Sequence, residues 1–203
     1  MDYTSLTAAN AERWAACQIT DSRRSEVQIA ARRLAAPGAK LRYQAVEAVT
    51  GVPWFIVAVI HEREASQRWD TQLGQGDPLH SISTHIPRGR GPFLDHPGDV
   101  PGNDAWHRAA LDALIDCPPY TARWKDWTVG GALTATVLYN GIGYEVYHHE
   151  ASPYNWGSTN QQQRGKYVRD GVFDPNAWDS QIGCAALLKG MIVIDSSIKF
   201  ADK

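Results

Sequence analysis

The chain has 203 residues, 43% of them hydrophobic and 21% charged, with a formal charge of -2 at pH 7. That length supports one sizeable core and argues against two ordinary domains, and the near-neutral balance excludes a disordered acidic tail or a basic nucleic-acid binder. The longest apolar run, Val52 to Ile60, is nine residues, against about 20 for a bilayer span, and the opening MDYTSLTAANAERW has neither the charged nor the apolar region of a secretory signal. A soluble protein is expected, with no membrane insertion and no nucleic-acid partner.

In chain order, Ala8 to Cys17, Ser25 to Ala35 and Lys40 to Val49 are rich in Ala, Arg, Glu and Leu and predict helices, with Pro37 and Gly38 as a break. The segment from Gly74 to Gly102 holds 11 of the 28 glycines and prolines, which predicts turns, short strands and loops. Asn103 or Asp104 caps a helix whose positions Trp106, Ala110, Ala113, Leu114 and Cys117 follow helical spacing until Pro118 and Pro119 stop it. A further helix is expected from about Asp126 to Tyr139. The last is expected to start at Asp174 as cap with Pro175 in its first turn, carrying Trp178, Ile182, Ala185 and Leu188 on one stripe. A single domain over 1–203 results, with N-terminal helices over 1–38 and a Gly/Pro-rich β/loop wing over 70–102. Cys17, Cys117 and Cys184 cannot all pair and lack CxxC spacing, so buried free thiols are expected.

The central helix carries the most chemistry. Pro53 suits a first turn, Trp54 to Ile60 is apolar on every side, and the helix then turns polar as HEREAS. At about 100° per residue, Glu64 lies about 20° around the axis from Val57, whereas Glu62 is about 200° away from Glu64, so the two cannot share one site. A carboxyl at the end of an apolar stripe, near the negative end of the helix dipole, resists ionisation as a general acid must. The alternative is a solvated last turn in which both glutamates pair with Arg63 and Arg68.

The string VTGVPWFIVAVIHEREAS, followed by GDPL, HIPRGRGPF, LDAL, YNGIGY, SPYNW, GKYVRDGVFDP and GCAALL, resembles phage and bacterial lysozyme-family proteins (endolysins) of the lysozyme-like superfamily, from about Ala39 to Lys189. The resemblance implies an α+β, predominantly helical, lysozyme-like fold with a central buried helix and a small β/loop wing. It also implies cleavage of the β-1,4 bond between N-acetylmuramic acid and N-acetylglucosamine. The family's pattern at the helix, approximately I-H-x-x-E-[AS]-S, places its catalytic glutamate on Glu64 and leaves Glu62 on a variable position. Glu64 with Ser66, Tyr139 to Gly143, and Tyr167 with Val168 resemble the layout of soluble lytic transglycosylases. Here Ala65 separates Glu64 from Ser66 and the GLMQ segment is absent. Glu64 and Asp77 are 13 positions apart, a spacing resembling that of goose-type lysozymes.

Such a reaction needs an acid on the leaving oxygen and a second group for the oxocarbenium-like carbon. Asp77 in GQGDPL is the best second carboxylate; its alternative is an Asp-Pro turn that orders its own loop. Thr84 in the STH segment, Tyr139, Asn140 and Tyr144 are candidates for holding sugar or water, beside the plainer readings of a strand hydroxyl and of Asn140-Gly141 as a helix stop. Tyr154 and Trp156, in polar sequence, are candidates for a cleft wall, while Trp54 and Trp106 read as core. Arg88 and Arg90 on the wing read as solvated. HEREA is not the HExxH spacing, and neither it nor His148, His149 and Glu150 is read as a metal site; no cofactor is expected. The resemblance implies action on peptidoglycan glycan strands, and a monomer is expected. It would be made in a bacterial host cytoplasm and reach the cell wall or periplasm after release. The alternatives are a lytic transglycosylase giving 1,6-anhydro products, and a virion component that binds peptidoglycan without turnover.

Overall fold

The computed structural model describes residues 2–169 and 171–202, and the fold is mostly helical with one two-stranded antiparallel sheet. In chain order the elements are α1 (Thr4–Ala16), α2 (Arg24–Leu34), α3 (Pro37–Thr50), α4 (Trp54–Ala65), α5 (Ala105–Leu111), α6 (Val129–Asn140), α7 (Pro153–Trp156), β1 (Lys166–Arg169), β2 (Val172–Asp174) and α8 (Cys184–Ile194). The chain divides into two compact units, 1–32 with 126–203 and 33–125. No single helix among the described residues is long and apolar enough to cross a membrane; α3 and α4 meet that length and composition only as a pair, bent by 114°.

In the unit of 33–125, Pro37 occupies the first turn of α3, where its missing N–H is no loss. The chain reverses at Thr50, whose hydroxyl donates to Val46 O and accepts from Val52 N–H. α4 follows, with nine of its twelve residues buried, as its all-round apolar sequence predicts. The side chain of Asp104 accepts from His107 N–H at 3.0 Å and caps α5. The forecast stripe of Trp106, Ala110, Ala113, Leu114 and Cys117 is buried, and the helix widens to a π-turn over Asp112–Asp116 before the prolines. Tyr43, His61, Trp69 and Trp106 form one aromatic cluster with centroids 4.6 to 5.9 Å apart.

The wing over 70–102 differs from expectation. It contains no strand among the described residues, only the isolated bridges Thr71–Pro78 and Val100–Asn103. Side chains do the work of a ladder: buried Gln72 donates to Pro78 O and Ser81 O at 3.1 and 2.8 Å. Arg90 is not solvated but forked onto Asp112, with Nε to Oδ2 at 2.9 Å.

In the unit of 1–32 with 126–203, α1 packs on α6 through a buried polar contact, Asn10 Nδ2 to Thr134 Oγ1 at 3.0 Å. α6 starts at Val129 rather than Asp126, because Thr128 is the cap that accepts from Gly131 N–H and Asp126 accepts from Thr128 N–H just before it. The last helix begins only at Cys184. Asp174 ends β2 and its carboxylate accepts from Asn176 N–H, so Asp174-Pro175 is a turn; Trp178 is exposed. Asp179 is buried on Lys166 and Gln181 N–H, which keeps the following segment out of helix. The three cysteines are free and buried, as expected; burial pushes the Cys17 thiol up and that of Cys117 up to about 11.

Candidate functional site

The last turn of α4 separates its two glutamates as helix geometry requires. Arg33 Nη2 reaches both carboxylate oxygens of Glu62 at 2.6 and 2.5 Å, and the Glu62 side chain is 13% exposed. Arg68, a partner for these glutamates only on the alternative of a solvated last turn, pairs with Asp70. Glu64 is half-buried, on the face that continues the apolar stripe. The helix then stops in two consecutive left-handed residues, Ser66 (φ 51) and Gln67 (φ 60), a conformation costing on the order of 1 kcal/mol per non-glycine residue.

A buried network holds that strained turn. Gln67 Nε2 donates to Arg33 O at 3.2 Å and to the Tyr43 hydroxyl at 3.1 Å. Tyr43 Oη lies 3.0 Å from His61 Nδ1, and His61 Nε2 lies 2.8 Å from Arg68 O. Burial lowers the His61 pKa to about 4, so the ring is neutral. A proton on Nε2 lets the ring donate to Arg68 O and accept from Tyr43 at Nδ1, while Trp106 Nε1, a donor only, also lies 3.2 Å from Nε2 and competes for the same nitrogen. None of these three residues was singled out as an organiser of the site from sequence. The i, i+7 relation of His61 to Arg68 was open to reading, but Tyr43 lies 18 positions from His61.

The wing passes directly behind Glu64. Gly76 has φ +72, and a Cβ there would stand 3.0 Å from the Glu64 carbonyl oxygen, so glycine is required on both counts. Asp77 follows, buried, with its Oδ2 accepting from Thr84 N–H at 2.8 Å and His85 N–H at 3.1 Å, and its Oδ1 2.8 Å from His85 Nδ1. Desolvation pushes its carboxyl up, but the hydrogen bonds from His85 and Thr84 together outweigh that and hold it below its ordinary value. It is an ionised clamp on its own loop, the plainer of its two sequence readings. Thr84 is exposed and sits in that loop, not in a strand.

The remaining candidates lie in the other unit, so the structure brings Glu64, Asp77 and Thr84 into one unit and Tyr139, Asn140, Tyr144, Tyr154 and Trp156 into the other. Tyr139 is half-buried and Asn140 exposed at the end of α6, which Gly141 terminates. Beyond it, a Cβ at Gly143 would stand 3.1 Å from the Tyr167 hydroxyl, so the YNGIG and KYV segments are neighbours. Tyr144 is buried with its hydroxyl accepting from Tyr167 N–H at 3.0 Å, and belongs to an aromatic cluster with Tyr167, Phe173 and His148; this ring is structural rather than open to sugar. His148 stacks on Phe173 at 3.6 Å and meets the Tyr167 hydroxyl at 3.0 Å. Tyr154 and Trp156 are 3% and 1% exposed and form no cleft wall. Their polar neighbours misled: Asn155 is buried, donating to Leu133 O and accepting from Thr136 Oγ1, both at 2.7 Å. Trp54 and Trp106 are core, as expected.

One titratable group in this unit was missed altogether. Glu145 Oε1 accepts from Ser152 N–H at 3.2 Å, while Oε2 is shut off from water with no hydrogen-bond partner among the described residues. Burial pushes its pKa up to about 7. No residue pattern announces this, since YEVYHHE reads as surface. No family model, curated protein or solved structure matches the chain.

Proposed function

We propose that the chain is a peptidoglycan-degrading glycosidase that cleaves glycan strands with Glu64 as general acid. The observation that supports this best is the separation of the two carboxylates on α4: Glu62 faces Arg33, and Glu64, half-buried as well, lies on the face that continues the apolar stripe, beside the wing at Gly76. In this mechanism Glu64 passes its proton to the glycosidic oxygen as the bond to the anomeric carbon breaks. Gln67, Tyr43 and His61 act through the backbone, fixing the turn that ends the helix.

The engagement of both Asp77 oxygens by its own loop favours a second reading of the later step. There the substrate's acetamido oxygen, not a protein carboxylate, bonds to the anomeric carbon. The Glu64 carboxylate then takes a proton from the oxygen that displaces the acetamido oxygen from the anomeric carbon, restoring the acetamide: water, giving a reducing end, or the sugar's own 6-hydroxyl, giving a 1,6-anhydro ring. Dye release from purified cell walls tests the assignment. Glu64→Gln is expected to lose activity by about 100-fold or more with the fold unchanged, and Glu62→Gln to keep most of it. A dead Glu62 variant beside an active Glu64 variant overturns it, and no release by the wild type leaves wall binding without turnover.

A further inference from the structure

The unit of 1–32 with 126–203 contains a groove of about 500 Å3 that glycan cleavage by Glu64 does not use. It forms where α2 and α8 come close: a Cβ at Gly190 would lie 2.9 Å from Ala31 Cβ and 3.2 Å from Val27 Cγ1, so a side chain there would force the helices apart. On α2 the groove is lined at four-residue spacing by Arg24, Gln28 and Arg32, which places all three on one face. On α8 it is lined by Lys189, Val193 and Ile194, and Gln18 and Ile19 contribute from the segment after α1.

Three cations and no carboxylate line it. Arg24 pairs with Asp21 at 2.6 Å, but the two side chains are 61% and 94% exposed, so that pair is worth about 1 kcal/mol at most and yields to a ligand. Lys189 sits 4.3 Å over the Trp14 ring, which positions the ammonium without neutralising it. The side chains of Arg32, Gln28 and Gln18 make no hydrogen bond or ion pair among the described residues. Beside them Val193 is 87% exposed and Ile194 is left partly in water.

We propose that this groove binds a short acidic peptide, and, on the reading of the chain as a peptidoglycan glycosidase, that the peptide is the stem peptide of the same polymer. Guanidinium forks match free carboxylates, uncommitted amides match peptide N–H and C=O groups, and the aliphatic side chains match alanine methyls. The amides and the recessed shape favour a narrow peptide over a lipid surface, to which primary amides contribute little.

Calorimetry on the full chain with the N-acetylated synthetic peptide acetyl-L-Ala-γ-D-Glu-L-Lys-D-Ala as probe, two carboxylates against one ammonium, tests this. Saturable binding is expected, weakened about tenfold or more by Arg32→Ala, by amidation of the peptide carboxylates and by raised salt. Arg32 is exposed and holds nothing in the fold, so its variant stays folded. Glu64→Gln is expected to bind the peptide as the wild type does. Absence of saturable binding, equal binding by Arg32→Ala, or binding to phosphatidylglycerol vesicles but not to the peptide overturns the proposal. Peptide binding without any dye release overturns the glycosidase and leaves the acidic-peptide groove standing; dye release without peptide binding overturns the groove alone.

Discussion

Replacing Glu145 by glutamine removes a carboxyl that the fold prefers to keep protonated. Burial raises its pKa from 4.5 to about 7, against smaller opposing contributions from its own backbone, Ser152 N–H and Arg13. Between those two values the folded chain holds a proton that the unfolded chain releases. The stability from this group is therefore complete below about pH 4.5 and lost as pH rises to about 7. At about 1.4 kcal/mol per tenfold change in proton affinity the ceiling is about 3 kcal/mol, and the water-facing part of the residue reduces it to about 2. His61, held neutral by burial, acts in the opposite sense, because its stability is lost as pH falls from 6.5 towards 4. The wild-type profile alone thus mixes two slopes, and the difference between wild type and Glu145→Gln isolates one. Urea unfolding at pH 4.5, 6 and 8 reads it: relative to wild type, the variant gains about 2 kcal/mol between the lowest and highest pH. A difference that stays constant with pH, or falls, refutes the assignment of Glu145 as a buried proton holder.

Asp77→Asn keeps at most part of the clamp on Thr84 and His85, so the wing loosens by about 1 to 2 kcal/mol; dye release falls partially, and a loss as large as that of Glu64→Gln would make Asp77 a catalytic partner. Gly76→Ala introduces both an unfavourable φ and a 3.0 Å contact with Glu64 O, costing about 1 to 2 kcal/mol in urea unfolding; an unchanged midpoint would deny the tight passage of the wing behind α4. His61→Phe fills the space but leaves the Tyr43 O–H and the Trp106 N–H without their His61 acceptor, while Arg68 O keeps the Thr71 hydroxyl, with an expected loss of about 1 to 3 kcal/mol; a thermally neutral variant would show that the His61 network does not support the turn.

What could be read from sequence was what depends on neighbours along the chain. The burial of α4, its start near Pro53, the angular separation of Glu62 from Glu64, a cap at Asn103 or Asp104 and the thiols all follow from local spacing. What depends on partners far along the chain was not legible. Gln72 and Asp77 take over the backbone hydrogen bonding of the wing, so a Gly/Pro-rich segment expected to contain strands needs none. Asp174-Pro175 has the same residues as a helix start and a turn, and the buried Asp179–Lys166 pair settles it as a turn. Tyr154 and Trp156 looked exposed because Ser152, Asn155 and Thr159 are polar, yet those polar atoms are buried and satisfied. The Arg33–Glu62 pair joins residues 29 apart, and nothing near either one signals it.

Mass spectrometry of the soluble products from purified peptidoglycan tests the central claim most directly. Wild-type protein is expected to release disaccharide-peptide units broken at the glycan strand, and Glu64→Gln to release none under the same conditions. Intact glycan strands with cut peptides, or the same disaccharide products from the Glu64 variant, would contradict a glycosidase with Glu64 as its acid.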